Sequence, residues 1–424
     1  MIADLIRKGS QHPFWRNVGI LAGGTVIAQG VMVLALPALT RLYSPDDFNL
    51  LAVYASTLGL LTVASCLRFN IAIPLPPDDR TAMDLLALAL LSGTVVALAV
   101  GVPALLAPIW SANLLRQPEL APYMWLLPLG VLFAATYDAL QYWASRKRRY
   151  GTISQTRMTR AIGGVGTQLG MGAAVAGPSG LLFGHMLLNG FGFFGLARSI
   201  FAHDRALARG TRWTEMRNAA LKYRQFPCYS VPEALFNTAA LEISILIIAA
   251  MAIGPEAGYL MLAMRVIGIP MSFIGTSVAQ VWLTDAPEKL RAGGLAAFTR
   301  QTMMTLAKVG ALPIIVAGAL APFLFPVIFG PQWARAGVIL AWLTPMFMLQ
   351  FIISPTSSVP HVLGRVRWAM GLQGAMCAVR LGAVATAAKV APDFLVETFA
   401  IAGATCYALS IIWIYRMALT AERR

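Results

Sequence analysis

A chain that is 58% hydrophobic and only 12% charged has few side chains able to do chemistry, and those inside its apolar stretches stand out. Six cations sit well within such stretches: Arg68, Arg157, Arg160, Arg265, Lys308 and Arg380. The acids there are Asp84, Asp138, Glu233 and Glu242. A charge at a bilayer centre costs at least ~2.5 kcal/mol, so each of these residues needs a partner, a route to the interface or a substrate. Covalent catalysis has no seat, because the loops offer no nucleophile and base at useful spacing. The four His and four Cys are scattered singly, without the spacing of a metal site or a disulfide framework, so no metal or cofactor is expected and the thiols read as reduced and buried.

The elements that must carry these residues are membrane spans. Stretches of about 20 mostly apolar residues fall near 17–39, 48–75, 82–109, 122–145, 154–176, 181–201, 228–252, 257–284, 301–329, 337–359, 368–389 and 396–417, which predicts twelve helices. The first twenty residues are polar and basic and lack the short apolar core of a cleaved leader, so the first span is expected to persist as helix 1. The net charge of +15 is distributed as an orientation signal rather than as a nucleic-acid surface. Arg41, Arg116, Arg335 and Lys389 are the basic residues on the side away from the N-terminus, whereas "SRKRRYG" and "RALARGTRWTEMRNAALKYR" both fall on the N-terminal side. Both termini are therefore expected in the cytoplasm, with these basic runs near anionic headgroups.

The chain also repeats itself. "LAPIW" (Leu106–Trp110) and "WLLPLGVLF" (Trp125–Phe133) recur as "LAPFL" (Leu320–Leu324) and "WLTPMFMLQ" (Trp342–Gln350), at offsets of 214 and 217. The linker "LYSPDDFNLLAVY" recurs as "AIGPEAGYLMLAM", with Pro45 matching Pro255 at an offset of 210. Two six-helix bundles, related as parallel repeats, follow from an even number of spans per half, and such repeats are a transporter architecture. The expected organisation is an N-terminal six-helix lobe over 1–201, a cytoplasmic amphipathic linker over 202–227 and a C-terminal six-helix lobe over 228–424. In the fifth span, Gly166 and Gly170 have the small-xxx-small spacing of a close helix contact.

The stretches "LPALTRLYSPDDFNLLAVYAS", "LRFNIAIPLPPDDRTAMDLLALAL" and "YRQFPCYSVPEALFN" resemble the Wzx-type bacterial polysaccharide flippases, in the superfamily that also holds multidrug and toxin extruders and lipid II flippases. The family pattern usually has Gly where this chain has Asn49. The resemblance implies a non-enzymatic inner-membrane protein that moves undecaprenyl-pyrophosphate-linked oligosaccharide from the cytoplasmic to the periplasmic leaflet. Its product would feed O-antigen, capsule or exopolysaccharide assembly, and the bilayer and other assembly proteins would be its partners. It further implies that helices 1, 2, 7 and 8 line a cleft, with basic residues on helices 2 and 8 facing it, a placement that Arg68 and Arg265 match.

Such a substrate asks for fixed cations and hydrogen-bonding groups, and the candidates are Arg68, Arg265, Lys308, Arg157, Arg160 and Asn237. Arg157 and Arg160, in the first turns of helix 5, can instead snorkel to headgroups, and Lys308 has the same two options. Arg265 precedes "GIPMSFIG", which interrupts the helix 8 pattern and whose Gly268, Pro270 and Gly275 predict a kink. Glu242 and Arg380 lie at similar depths by the helical rise, which predicts a buried ion pair, acting as a lock or as an ion-coupling site. Glu233, one turn from Asn237, is a candidate proton-responsive site or a hydrogen-bonded helix entry. The resemblance implies that sodium-coupled relatives place acids and amides on helices 7 and 11; helix 11 here has no acid, which disfavours a sodium cage, and a proton is the expected coupling ion. The competing readings are a cation-coupled drug extruder of the same fold, for which acids rather than arginines would be expected, and a membrane-embedded polymerase or ligase, which would need a long catalytic outer loop.

Overall fold

The computed structural model describes residues 13–210 and 212–422. Among them the regular structure is helical, and twelve helices carry the chain: α1 (Pro13–Leu42), α2 (Pro45–Ser65), α3 (Asp79–Leu106), α4 (Leu126–Arg146), α5 (Tyr150–Ala174), α6 (Ser179–Gly190 continuing as Phe193–His203), α7 (Val231–Met251), α8 (Glu256–Arg291), α9 (Leu295–Phe329), α10 (Ala334–Ile353), α11 (Val366–Val390) and α12 (Leu395–Glu422). Among the described residues, eight of these are long and apolar enough to cross a bilayer by length and hydropathy. The other four, α4, α5, α8 and α11, carry Asp138, Arg157 with Arg160, Arg265 and Arg380.

The chain divides into two compact units, Met1–Leu42 with Thr57–Ala234, and Tyr43–Ser56 with Leu235–Arg424. In the first, Trp143, Tyr137, Leu85 and Ile73 are buried in one apolar core. The short helix Trp213–Lys222 packs on α3, with Ala219 buried beside the Ala82 and Met83 core and Glu215 paired to Arg80 at 2.9 Å. The basic run after α4, expected near headgroups, is largely committed within the protein. Arg146 and Lys147 both pair with Asp79, and Arg149 pairs at 2.8 Å with Asp204, which also accepts the Trp143 indole N–H at 2.9 Å. Small residues bring α5 and α6 together, but at Gly164 rather than at Gly166 and Gly170. A Cβ on Gly164 would lie 2.9 Å from the Gly184 carbonyl oxygen, whereas Gly166 and Gly170 face open space.

Helix α3 starts at a side-chain cap, where the Asp78 carboxylate accepts the Thr81 backbone N–H at 2.7 Å. That bond holds the exposed Asp78 carboxyl below the usual carboxylate range. A depressed folded-state value means that the cap's contribution is present above about pH 4, the unfolded Asp value, and is lost as pH falls through the folded one. Asp78→Ala is expected to cost about 1 kcal/mol and to flatten the acid limb of a thermal-unfolding profile recorded against pH.

In the second unit the two repeated linkers meet. Ser44 and Asp47 form a reciprocal cap at the start of α2: the Ser44 N–H and hydroxyl donate to the Asp47 carboxylate at 2.9 Å, and the Asp47 N–H donates back to Ser44 Oγ at 3.2 Å. Beside it, a Cβ on Gly258 would fall 2.4 Å from the Pro45 carbonyl oxygen and 2.7 Å from the Asn49 nitrogen, so this approach of α8 to α2 requires glycine. Trp333, fully buried, receives Phe48 edge-on at 4.8 Å and Tyr259 at 5.9 Å. Arg335 ties three helix starts together, pairing with Glu256 at 3.0 Å and Glu397 at 2.8 Å. The backbone of α8 stays helical through "GIPMSFIG". One expectation changes here: Cys228 is exposed, while Cys66, Cys377 and Cys406 are buried thiols.

Candidate substrate site

In the first unit the candidate cations are brought together by α2, α4 and α5. The span predicted to run from 48 to 75 is not one helix, because α2 stops at Ser65 and the chain turns through Leu67 and Arg68, both left-handed at φ 47° and 60°. Two successive non-glycine residues in that region are costly, about 1–2 kcal/mol each. The turn sets Arg68 just beyond the C-terminal end of a helix, where the backbone dipole favours a cation. Its half-buried guanidinium has an Nε sealed from solvent with no hydrogen-bond partner among the described residues.

Arg160, on α5, lays its guanidinium over the Tyr137 ring of α4, 4.1 Å from the centroid, instead of reaching outward to headgroups. Tyr137 is itself fixed by burial and by a 3.4 Å contact of its hydroxyl with Thr156. Arg157, one turn earlier, donates to the Thr25 hydroxyl of α1 at 2.6 Å. Asp138, next to Tyr137 and exposed on α4, lies within electrostatic reach of both Arg160 and Arg68. The cluster therefore contains three guanidinium groups and one carboxylate, a net positive site able to receive a multiply charged anion. Tyr137 had no sequence signal beyond its adjacency to an in-span acid, and Asp138 showed only as an acid without a role.

The remaining candidates lie in the second unit, except Glu233, which closes the first. Arg265 is half-buried on α8. Lys308 is exposed on α9 among exposed apolar neighbours, Met304 and Leu312, opposite buried Met303, Leu306 and Gly310. That setting fits a lipid-facing amine that reaches for headgroups. On α7, Asn237 is exposed one turn from half-buried Glu233. The expected Glu242–Arg380 pair is not formed: the Glu242 carboxylate hydrogen-bonds the Ser56 hydroxyl, and Arg380 lies against the aromatic rings of Phe399 and Tyr407. Equal depth along two helices does not fix the direction in which each side chain leaves its axis, and here the two diverge.

Twelve helices in two six-helix bundles, with arginines held inside, define a multi-pass membrane protein of the two-bundle transporter fold. A family model described as "Polysaccharide biosynthesis protein" matches residues 38–337, and the chain belongs to that family. Among solved structures it is similar to the lipid II flippase MurJ in an inward closed conformation, at TM-score 0.70 and 12% identity, covering 95% of this chain and 90% of that one. It is similar also to a point mutant of the Vibrio cholerae MATE transporter VcmN, at TM-score 0.60 and 12% identity over 97% and 98% of the two chains. The eukaryotic MATE transporter AtDTX14 gives TM-score 0.58 and 13% identity over 96% and 98%. A search of curated proteins finds no match.

Proposed function

We propose that the protein is a flippase that carries undecaprenyl-pyrophosphate-linked oligosaccharide from the cytoplasmic to the periplasmic leaflet of the bacterial inner membrane by alternating access. The product serves O-antigen, capsule or exopolysaccharide assembly. The observation that carries this reading is the arginine cluster of the first unit, in a chain that belongs to a polysaccharide biosynthesis family. A pyrophosphate with attached sugars needs fixed cations that do not titrate away, and guanidinium supplies them with a donor geometry matched to phosphate oxygens. Arg68, Arg160 and Arg157 take the pyrophosphate on entry, Arg265 takes it farther along the path, and Asn237 contributes a hydrogen bond to the sugars. Lys308 contacts headgroups. Glu233, Glu242 and Arg380 act in coupling or gating, with a proton as the coupling ion. Residues 1–201 and 228–424 are the moving lobes, 202–227 links them, and both termini are cytoplasmic.

The second reading, a drug extruder, is favoured by the fold shared with MATE transporters and opposed by the sign of the interior charge. Equilibrium binding by the purified protein separates the two. The pyrophosphate-linked oligosaccharide is expected to bind at least tenfold tighter than the same glycolipid with a single phosphate, and a lipophilic quaternary ammonium dye to bind weakly. A preference for the dye would transfer the assignment to the extruder.

A further inference from the structure

Arg380 is the most deeply buried of the candidate cations, at 6% exposure, and its surroundings are those of a small anion site. Phe399, Gly403 and Tyr407 follow one another at four-residue spacing along α12, so they share a face. The guanidinium carbon lies 5.8 Å from the Phe399 ring centroid and 5.3 Å from that of Tyr407. Gly403 lies between the two ring positions on that face, where the Met346 side chain packs against its backbone, and a Cβ there would collide with Met346 and stand 3.4 Å from Nη2 of Arg380. The rings supply negative π-faces, but they accept none of the five in-plane N–H groups of a guanidinium. None of those donors has a protein acceptor among the described residues, and Nε is sealed from solvent without a partner.

Three acids of the second unit are engaged elsewhere. Glu397, on the same helix, pairs with Arg335 at 2.8 Å, Glu256 pairs with Arg335 at 3.0 Å, and Glu242 is bonded to Ser56. Nearby polar groups are neutral: the thiols of Cys377 and Cys406 lie within electrostatic range, and the Ser410 hydroxyl donates to the Cys406 carbonyl at 2.8 Å. A permanently charged group in such surroundings is strongly disfavoured unless an opposite charge joins it.

We propose that Arg380 holds a small monovalent anion of the halide class within the second unit. One fixed positive charge among aromatic rings and thiols balances one negative charge. A phosphate or pyrophosphate brings more charge than a lone guanidinium can compensate, and among the described residues Arg380 is the one cation acting on the neighbouring Cys377 and Cys406. The site is thereby distinct in ligand from the arginine cluster on α2, α4 and α5, and its existence does not depend on which lipid the protein moves.

The test uses the full chain in detergent. Radiolabelled chloride is expected to bind saturably at one equivalent per chain, to be displaced by bromide and to be retained against gluconate and inorganic phosphate. Replacing gluconate by chloride at equal ionic strength should raise the thermal midpoint by a few degrees, through preferential binding to the folded state. Arg380→Gln should weaken chloride binding at least tenfold, and Arg380→Lys, which keeps the charge, should retain it. Absence of saturable chloride binding to the wild-type protein, or equal binding by Arg380→Gln, overturns the proposal. Displacement by phosphate at comparable concentration overturns the halide class. Should Arg380→Gln fail to fold, the wild-type isotherm and the lysine variant decide the question.

Discussion

Arg335→Met is expected to lower the stability of the protein by about 3 kcal/mol, the lower end of the range for breaking a buried ion pair from one side. Arg335 reaches Glu256 in the first turn of α8 and Glu397 in the first turn of α12, so its removal leaves two carboxylates facing a methionine. Glu397 is 8% exposed and has one carboxylate oxygen with no other partner among the described residues, which makes its desolvation hard to relieve. Partial exposure of the Arg335 side chain, at 32%, holds the cost at that lower end. The helix dipoles recover a fraction of the loss, because both acids lie at helix N-termini. Thermal unfolding in detergent checks the effect. The triple variant Arg335→Met, Glu256→Gln, Glu397→Gln should regain most of the lost stability, since removing every charge of a buried network costs less than orphaning some of them. A neutral Arg335→Met would show that the triad contributes little.

The second large effect concerns transport. Arg68→Gln should slow leaflet transfer of the lipid-linked oligosaccharide roughly 10- to 100-fold, the equivalent of one charge-assisted hydrogen bond of ~1.5–3 kcal/mol. The thermal midpoint should hardly move. Arg68 makes no ion pair among the described residues and its Nε lacks a partner, so the folded state loses little when the charge is removed. A residue held in left-handed backbone at φ 60°, without a bond that repays the strain, is the pattern expected where the conformation serves a ligand. If transfer and stability fell together, Arg68 would instead be a structural group, and the cluster would have to work through Arg160 and Arg157.

The class of the molecule was legible in the sequence because bilayer thickness imposes a length and a polarity that composition alone displays. The internal repeat was legible for a related reason, since linkers such as "SPDD" and "GPEA" keep their turn chemistry where helices drift. Side-chain direction was not legible. Depth along a helix follows from counting residues, and it placed Glu242 level with Arg380, but the azimuth that sends one to Ser56 and the other to Phe399 and Tyr407 depends on how neighbouring helices are rotated. The end of α2 escaped for another reason. Leu67 and Arg68 are ordinary helix formers by propensity, and their left-handed turn is imposed by what surrounds it. Glycine spacing misled in the same way, because "GGVGTQLG" offers several small-residue registers and α6 uses the one at Gly164. Arg335 read only as a charge on the outer side, and its partners Glu256 and Glu397 lie 79 and 62 residues away along the chain.

The central claim is that this protein moves a pyrophosphate-linked glycolipid between leaflets. It is tested most directly by reconstituting the folded protein in liposomes with a polyprenyl-pyrophosphate oligosaccharide labelled on its sugar, and timing the arrival of label in the opposite leaflet. Transfer much faster than in protein-free vesicles, falling at least tenfold with Arg265→Ala, is the predicted result. Transfer at the protein-free rate, with wild-type protein and a matched glycan, would contradict it.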